Sequence, residues 1–194
     1  MKKIRAIIPA AGKGSRLQKV SGDCPKAMFT VGDRPMIDYV LDNVSFIDKS
    51  DIYIVVGYGK DKIINHLSSS YNYVEQKQQL GTGHAVMMAG DFIDENSDMM
   101  ILYGDTPLIT GETLAKLVEV HREEGHGVTV VSSKVEDPTG YGRIMRNDAG
   151  SFLRIVEHKD ASETERLINE INTGIYIFNG KELKDSLGKL NNNN

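Results

Sequence analysis

The sequence predicts an α/β fold: a Rossmann-like, doubly wound, mostly parallel (mixed) sheet with helices on both faces and one inserted β-hairpin. Three observations predict it. Short apolar, β-branched runs alternate with stretches of helical period along most of the chain. Those runs lack polar/apolar alternation, as strands do when both faces of their sheet are covered. One interval, 134–172, breaks the rhythm with closely spaced turn signals.

In order, strands are expected at residues 4–9, 52–57, 99–103, 128–133 and 174–178, and helices at 35–43, 60–67, 82–92, 111–124 and 180–190. Within 134–172, a loop at 137–142 precedes two short runs, 143–146 and 152–156, joined by Asn147-Asp148-Ala149-Gly150; this predicts the hairpin. The strand–helix alternation around it predicts a doubly wound sheet with ligands at the carboxyl ends of its strands. At 194 residues one domain, 1–194, is expected. The closing Asn191–Asn194 reads as loop, so the domain is expected to be truncated there.

Composition excludes several classes. Cys24 is the only cysteine, which leaves no internal disulfide and no cysteine-based zinc site. No segment approaches the ~20 apolar residues of a membrane span, and no signal peptide is evident, so a cytoplasmic protein without membrane contact is expected. The formal net charge is −4, yet residues 1–34 carry eight Lys/Arg against Asp23 and Asp33. An acidic protein with a basic amino-terminal stretch suits a small anionic ligand better than nucleic acid, although a solvated charged surface would look the same.

Chemistry is expected at strand ends. The first strand runs into Pro9-Ala10-Ala11-Gly12-Lys13-Gly14-Ser15-Arg16-Leu17. Small residues there let a ligand approach the backbone, whose N–H groups can cradle phosphate. Leu17 stands where a dinucleotide fingerprint needs glycine, and the spacing is wrong for a P-loop. Arg16 and Lys26 supply cations for a triphosphate. Tyr103-Gly104-Asp105-Thr106-Pro107 follows an apolar run, so Asp105 is either a Mg²⁺ ligand or the acceptor of an Asx turn. Gln76 precedes Gln79-Leu80-Gly81-Thr82-Gly83-His84-Ala85; an amide there can donate to and accept from a base, or be a surface glutamine. His84, His121 and His126 read as helix-surface or turn residues rather than catalytic ones.

These segments resemble the sugar-nucleotide pyrophosphorylases, and the Gln76–Ala85 stretch resembles the uracil-binding segment of the bacterial N-acetylglucosamine-1-phosphate uridylyltransferases. The resemblance runs over nearly the whole chain. It implies that Pro9, Ala10, Ala11, Gly12, Lys26, Gln76, Gly81, Thr82, Tyr103 and Gly104 bind nucleotide, that Arg16 and Lys26 are catalytic, and that Asp105 holds Mg²⁺. It carries sugar contacts onto Gly142, Glu157 and Asn172, which otherwise read as loop, hairpin-charge and turn residues. The implied substrates are UTP and N-acetylglucosamine 1-phosphate. The resemblance further implies a second metal ligand beyond residue 194 and no acetyltransferase β-helix within this chain. A homo-oligomer stays open should such a domain follow. Pro9, Ser15 and Gly22-Asp23-Cys24 depart from the usual motif. Another sugar 1-phosphate, or a non-catalytic sugar-nucleotide sensor, are the alternative readings; fold alone does not separate them.

Overall fold

The computed structural model describes residues 2–14 and 24–190, which form two compact units: 1–129 with 177–194, and 130–176. The first unit is built on β1 (Lys3–Pro9). Parallel to it lie β4 (Ile52–Val56) on one side and β6 (Ser97–Ile101) on the other, so that Ile7 is flanked by Tyr53 and Ile101. β5 (Asn72–Glu75) extends the sheet beyond β4, also parallel. Every residue of β4 and β6 is buried, which is what an apolar run without alternation requires. A two-stranded ribbon, β2 (Thr30–Val31) with β3 (Arg34–Pro35), leads into the first helix.

Five helices of this unit follow the expected spans, three of them shortened. α1 (Met36–Asn43) buries Met36, Ile37, Val40 and Leu41, a one-sided stripe of helical spacing. α2 (Lys60–Leu67) buries Ile63. α3 (Thr82–Met88) stops short of the expected residue 92, because the chain tightens into a 3₁₀ turn at Gly90–Phe92. That turn lets the Phe92 ring stack on Tyr53, with centroids 4.5 Å apart. α4 (Gly111–Glu124) starts at Thr110, whose hydroxyl accepts from the Thr113 amide, and ends at Gly125 in the left-handed conformation, φ 65°.

The second unit holds the hairpin. β8 (Arg143–Arg146) and β9 (Phe152–Val156) pair antiparallel, as the turn residues between them predicted. β7 (Val128–Lys134) and β8 both pair with β10 (Glu170–Asn179), and β8 does so antiparallel. β10 is ten residues long and starts well before the expected 174; its last residues, 177–179, belong to the first unit. Between β9 and β10 a single turn, α5 (Glu163–Arg166), is held by a capping box in which Ser162 and Glu165 bond each other's backbone amides. The final helix, α6 (Gly180–Leu187), returns to the first unit and packs on β6.

After β5 the chain crosses back over β1 to form β6 on its other side, so the order β5-β4-β1-β6 reverses at β1. Crevices at the carboxyl ends of strands open where such a reversal occurs. No helix among the described residues is long and apolar enough to cross a membrane.

Candidate functional site

The segment after β1 is pinned from both neighbours. The Ala10 amide donates to Val55 O at 2.8 Å, and the Gly104 amide donates to Pro9 O at 3.0 Å. Farther along, the Lys26 amide donates to Gly12 O at 3.2 Å and closes the loop. Close approach of the strand ends needs small residues. A Cβ on Gly104 would stand 3.2 Å from the Ala10 Cβ, and one on Gly57 would stand 2.8 Å from the Ala11 Cβ. Gly14 takes a left-handed φ of 65°, a conformation that costs glycine little.

A cavity of about 450 Å³ opens at this edge of the sheet, a volume that suits a small-molecule ligand. The β1 loop from Pro9 to Gly12 forms one wall; Lys26, Tyr103 and Asp105 form another; Gln76, Gly81 and Thr82 form the third. The first unit thus brings together most of the residues the sequence singled out. Gly104 stands behind the wall against Ala10 and Ala27 rather than on it. Arg16 lies outside the described residues. Ala27, Gln79 and Ala85 line the cavity without having been singled out, and Gly57 supports it from behind. A glycine directly after a five-residue apolar run was the available signal for Gly57.

Lys26 and Asp105 meet across the mouth as an ion pair, with side chains 41% and 25% exposed. Asp105 therefore does not serve the Asx turn before Pro107. The turn is closed instead by Thr106, whose amide and hydroxyl both donate to Tyr103 O, at 3.2 and 2.7 Å. Gln76 is buried, 3% exposed, which removes the surface-glutamine reading. Its side-chain nitrogen lies 3.1 Å from Gly81 O and 2.9 Å from His84 Nδ1.

The basic excess of residues 1–34 is not one patch. Lys3 and Arg5, at the opposite end of β1 from Gly12, pair with Asp51, and Arg5 also pairs with Asp94. Arg34 pairs with Asp42 at 2.8 Å, while Lys13 lies over the Tyr58 ring. Charge counting along the sequence could not see these partners. His121 differs from its surface reading as well. It is 3% exposed on the inner stripe of α4, bonded through Nδ1 to Thr129 Oγ1, and burial lowers its pKa.

In the second unit Gly142, Glu157 and Asn172 also converge. The Asn172 amide donates to Gly142 O at 2.8 Å, and a Cβ on Gly142 would come within 3.1 Å of Glu157 Oε1. Asn172 sits inside β10 rather than in a turn before it, and its side chain donates to Tyr176 Oη at 2.6 Å. Arg143, 1% exposed, fixes this region by donating to the carbonyls of Tyr141 and Arg166 and lying 3.3 Å from His158 Nδ1.

Fold and cavity together define an α/β protein with a cavity of small-molecule size at the carboxyl edge of a parallel sheet. Residues 5–194 match the family model for nucleotidyl transferases, and the chain belongs to that family. It is 44% identical over its full length to the bifunctional protein GlmU of Thermoanaerobacter pseudethanolicus. It is also 45% identical over 189 residues, 97% of this chain, to the protein of that name from Pseudothermotoga lettingae. The chain spans about two fifths of these relatives' length, 42% and 41% respectively. A solved structure from Bacillus anthracis, provisionally assigned as a glucose-1-phosphate thymidylyltransferase, superimposes with a TM-score of 0.80 at 24% identity. It covers 97% of this chain and 79% of that one, which establishes the fold.

Proposed function

We propose that residues 1–194 act as a nucleotidyltransferase domain that transfers a uridylyl group from UTP to N-acetylglucosamine 1-phosphate, giving UDP-N-acetylglucosamine and pyrophosphate. One observation carries the reading: a lysine and an aspartate pair with each other on the wall of a cavity at the strand ends. The sequence resemblance supplies uridine and the N-acetylated sugar; the relatives named GlmU agree with it at 43–45% identity.

A phosphate oxygen of the sugar 1-phosphate attacks the α-phosphorus of UTP in line. The new P–O bond forms as the bond to the bridging oxygen breaks, and pyrophosphate leaves with that electron pair. The nucleophile is already anionic near neutrality, its second pKa being about 6, so the reaction needs no general base. Lys26 holds the phosphates and offsets charge as it moves toward the leaving group, with Arg16 in the same role by resemblance. Backbone amides of the β1 loop approach the phosphates where Gly12 leaves space.

Asp105 fits a Mg²⁺ site by its chemistry: it is the carboxylate on the cavity wall, and it already has a cation, the Lys26 ammonium, as its partner. Held by Asp105, the ion would supply neutralisation of phosphate charge. Gly142, Glu157 and Asn172 take the sugar, with Glu157 accepting from its hydroxyls.

The test is pyrophosphate release from UTP with N-acetylglucosamine 1-phosphate, glucosamine 1-phosphate or glucose 1-phosphate, with and without Mg²⁺. Lys26→Ala and Asp105→Ala are each expected to lower turnover by roughly a hundredfold or more, the usual loss for one electrostatic stabiliser. Turnover unchanged in either variant overturns the assignment.

A further inference from the structure

The amide of Gln76 can face its surroundings in only one way. Gly81 O is an acceptor and nothing else, so the atom 3.1 Å from it is the NH₂ nitrogen. That nitrogen has two hydrogens, and its second neighbour, 2.9 Å away, is Nδ1 of His84. A donor facing Nδ1 requires that nitrogen to be unprotonated, with the ring proton on Nε2. Both hydrogens of the amide are then committed inside the protein. Gln76 lines the cavity, and what remains for a ligand is Oε1, an acceptor. The sequence alone suggested an amide that both donates and accepts; in the folded protein its donors are spent.

We infer that His84 is a positioning residue that locks the Gln76 amide with its oxygen toward the nucleobase, so that the site selects pyrimidines bearing an N3–H over cytosine-type pyrimidines. This rests on the nucleotide reading above and deepens it. Uracil and thymine carry a hydrogen at N3 and can donate to Oε1. Cytosine has a lone pair at N3, and two acceptors facing each other in a buried place repel and leave both unsatisfied. Without His84, the amide loses the acceptor that holds one of its hydrogens and is free to turn its NH₂ toward cytosine. His84 is not on the cavity wall, and it lies one helical turn beyond Gly81, where the ring reaches the back of the amide.

The experiment measures binding of UTP, dTTP and CTP by calorimetry, and kcat/KM for UTP and CTP, in wild type, His84→Ala, His84→Asn and His84→Gln. Asn places an acceptor oxygen close to where Nδ1 stands; Gln places its acceptor one atom farther out, near Nε2. The UTP-over-CTP preference is expected to fall about tenfold in His84→Ala and His84→Gln and to be largely kept in His84→Asn. The UTP-over-dTTP ratio stays put in all of them, since both bases carry N3–H; general damage to the site would not spare one ratio and change the other. In a Gln76→Ala background, His84→Ala should change the UTP-over-CTP ratio no further. An unchanged ratio in His84→Ala, or equal losses in His84→Asn and His84→Gln, overturns the inference. If His84→Ala does not fold, the Asn and Gln pair decides. Wild type that binds UTP over CTP but releases no pyrophosphate with any sugar phosphate sinks the proposed reaction and leaves this inference standing.

Discussion

Among the described residues three glycines, Gly57, Gly59 and Gly180, have no room for a methyl group; at Gly59 it would meet the Pro25 ring at 2.7 Å, and the other two differ in what the methyl would hit. At Gly180, the first residue of α6, a Cβ would stand 2.0 Å from Asp94 O and 2.8 Å from Ser97 O, both backbone atoms that cannot swing aside. Gly180→Ala is expected to destabilise the protein by about 3 kcal/mol or more, read as a drop in denaturation midpoint. At Gly57 the added carbon would press on Ala11 Cβ at 2.8 Å and Gln76 O at 3.0 Å, both belonging to cavity-lining residues. Gly57→Ala should therefore weaken nucleotide binding roughly tenfold in a titration, through a displaced wall rather than a lost contact. Gly180 was not legible in the sequence as a special position, and at Gly57 only the end of the preceding apolar run hinted at one, because the crowding comes from residues distant in the chain. Lys26, Gln76 and Asp105 were singled out through the family resemblance and do line one cavity; read alone, Gln76 passed for a surface glutamine and Asp105 for a turn residue. Their partners were not legible. Nothing in the spacing of Gln76 and His84 says which of the amide's atoms is turned inward.

Among the elements, legibility followed burial. β4 is buried along its whole length and stood out as an apolar run; β6 was read only from Met99 on, its first two residues being the buried polar Ser97 and Asp98. β5, Asn-Tyr-Val-Glu, has no buried residue and no apolar run to mark it, and it went unseen. The opening of β10, Glu-Ile-Asn-Thr, is similarly mixed; cross-strand pairing makes it a strand where propensity does not. Ribbon strands of two residues are too short to show a period. α4 was found because its apolar spacing repeats over three turns, although the position completing the inner stripe carries His121. Its start depends on a single hydroxyl. Thr110→Ala is expected to lower stability by about 1 kcal/mol, measured in urea, as one amide of the first turn loses its acceptor.

For the molecule as a whole, His121 and Glu170 act at two different acid limits, one in each compact unit. His121 has its pKa lowered, chiefly by burial. Folded protein then binds fewer protons there than unfolded chain, so its contribution is complete above the unfolded value of about 6.5 and declines as pH falls below it. Glu170 in the second unit is held down to about 2, first by its hydrogen bonds from Arg146, at 2.7 and 2.8 Å, and further by Ser132. Its contribution is present above the ordinary value of 4.5 and is lost as pH falls toward 2. Melting temperatures taken across pH 3–8 should show both windows. His121→Asn is expected to flatten the slope just below pH 6.5, and Glu170→Gln to flatten it below 4.5 while costing on the order of 2 kcal/mol at neutral pH. A slope below pH 6.5 that survives His121→Asn would assign that window to another group.

The strand order has a longer reach than the placing of one cavity. On the proposed reading, the stretch that would meet the base, 76–82, follows β5, and those that would meet the phosphates, 10–14 and 103–105, follow β1 and β6. Letter-reading and bond-making would then ride on separate lengths of backbone, each anchored to its own strand. Substitutions that retune which base is accepted can accumulate on one length while the reaction carried by the others runs on undisturbed.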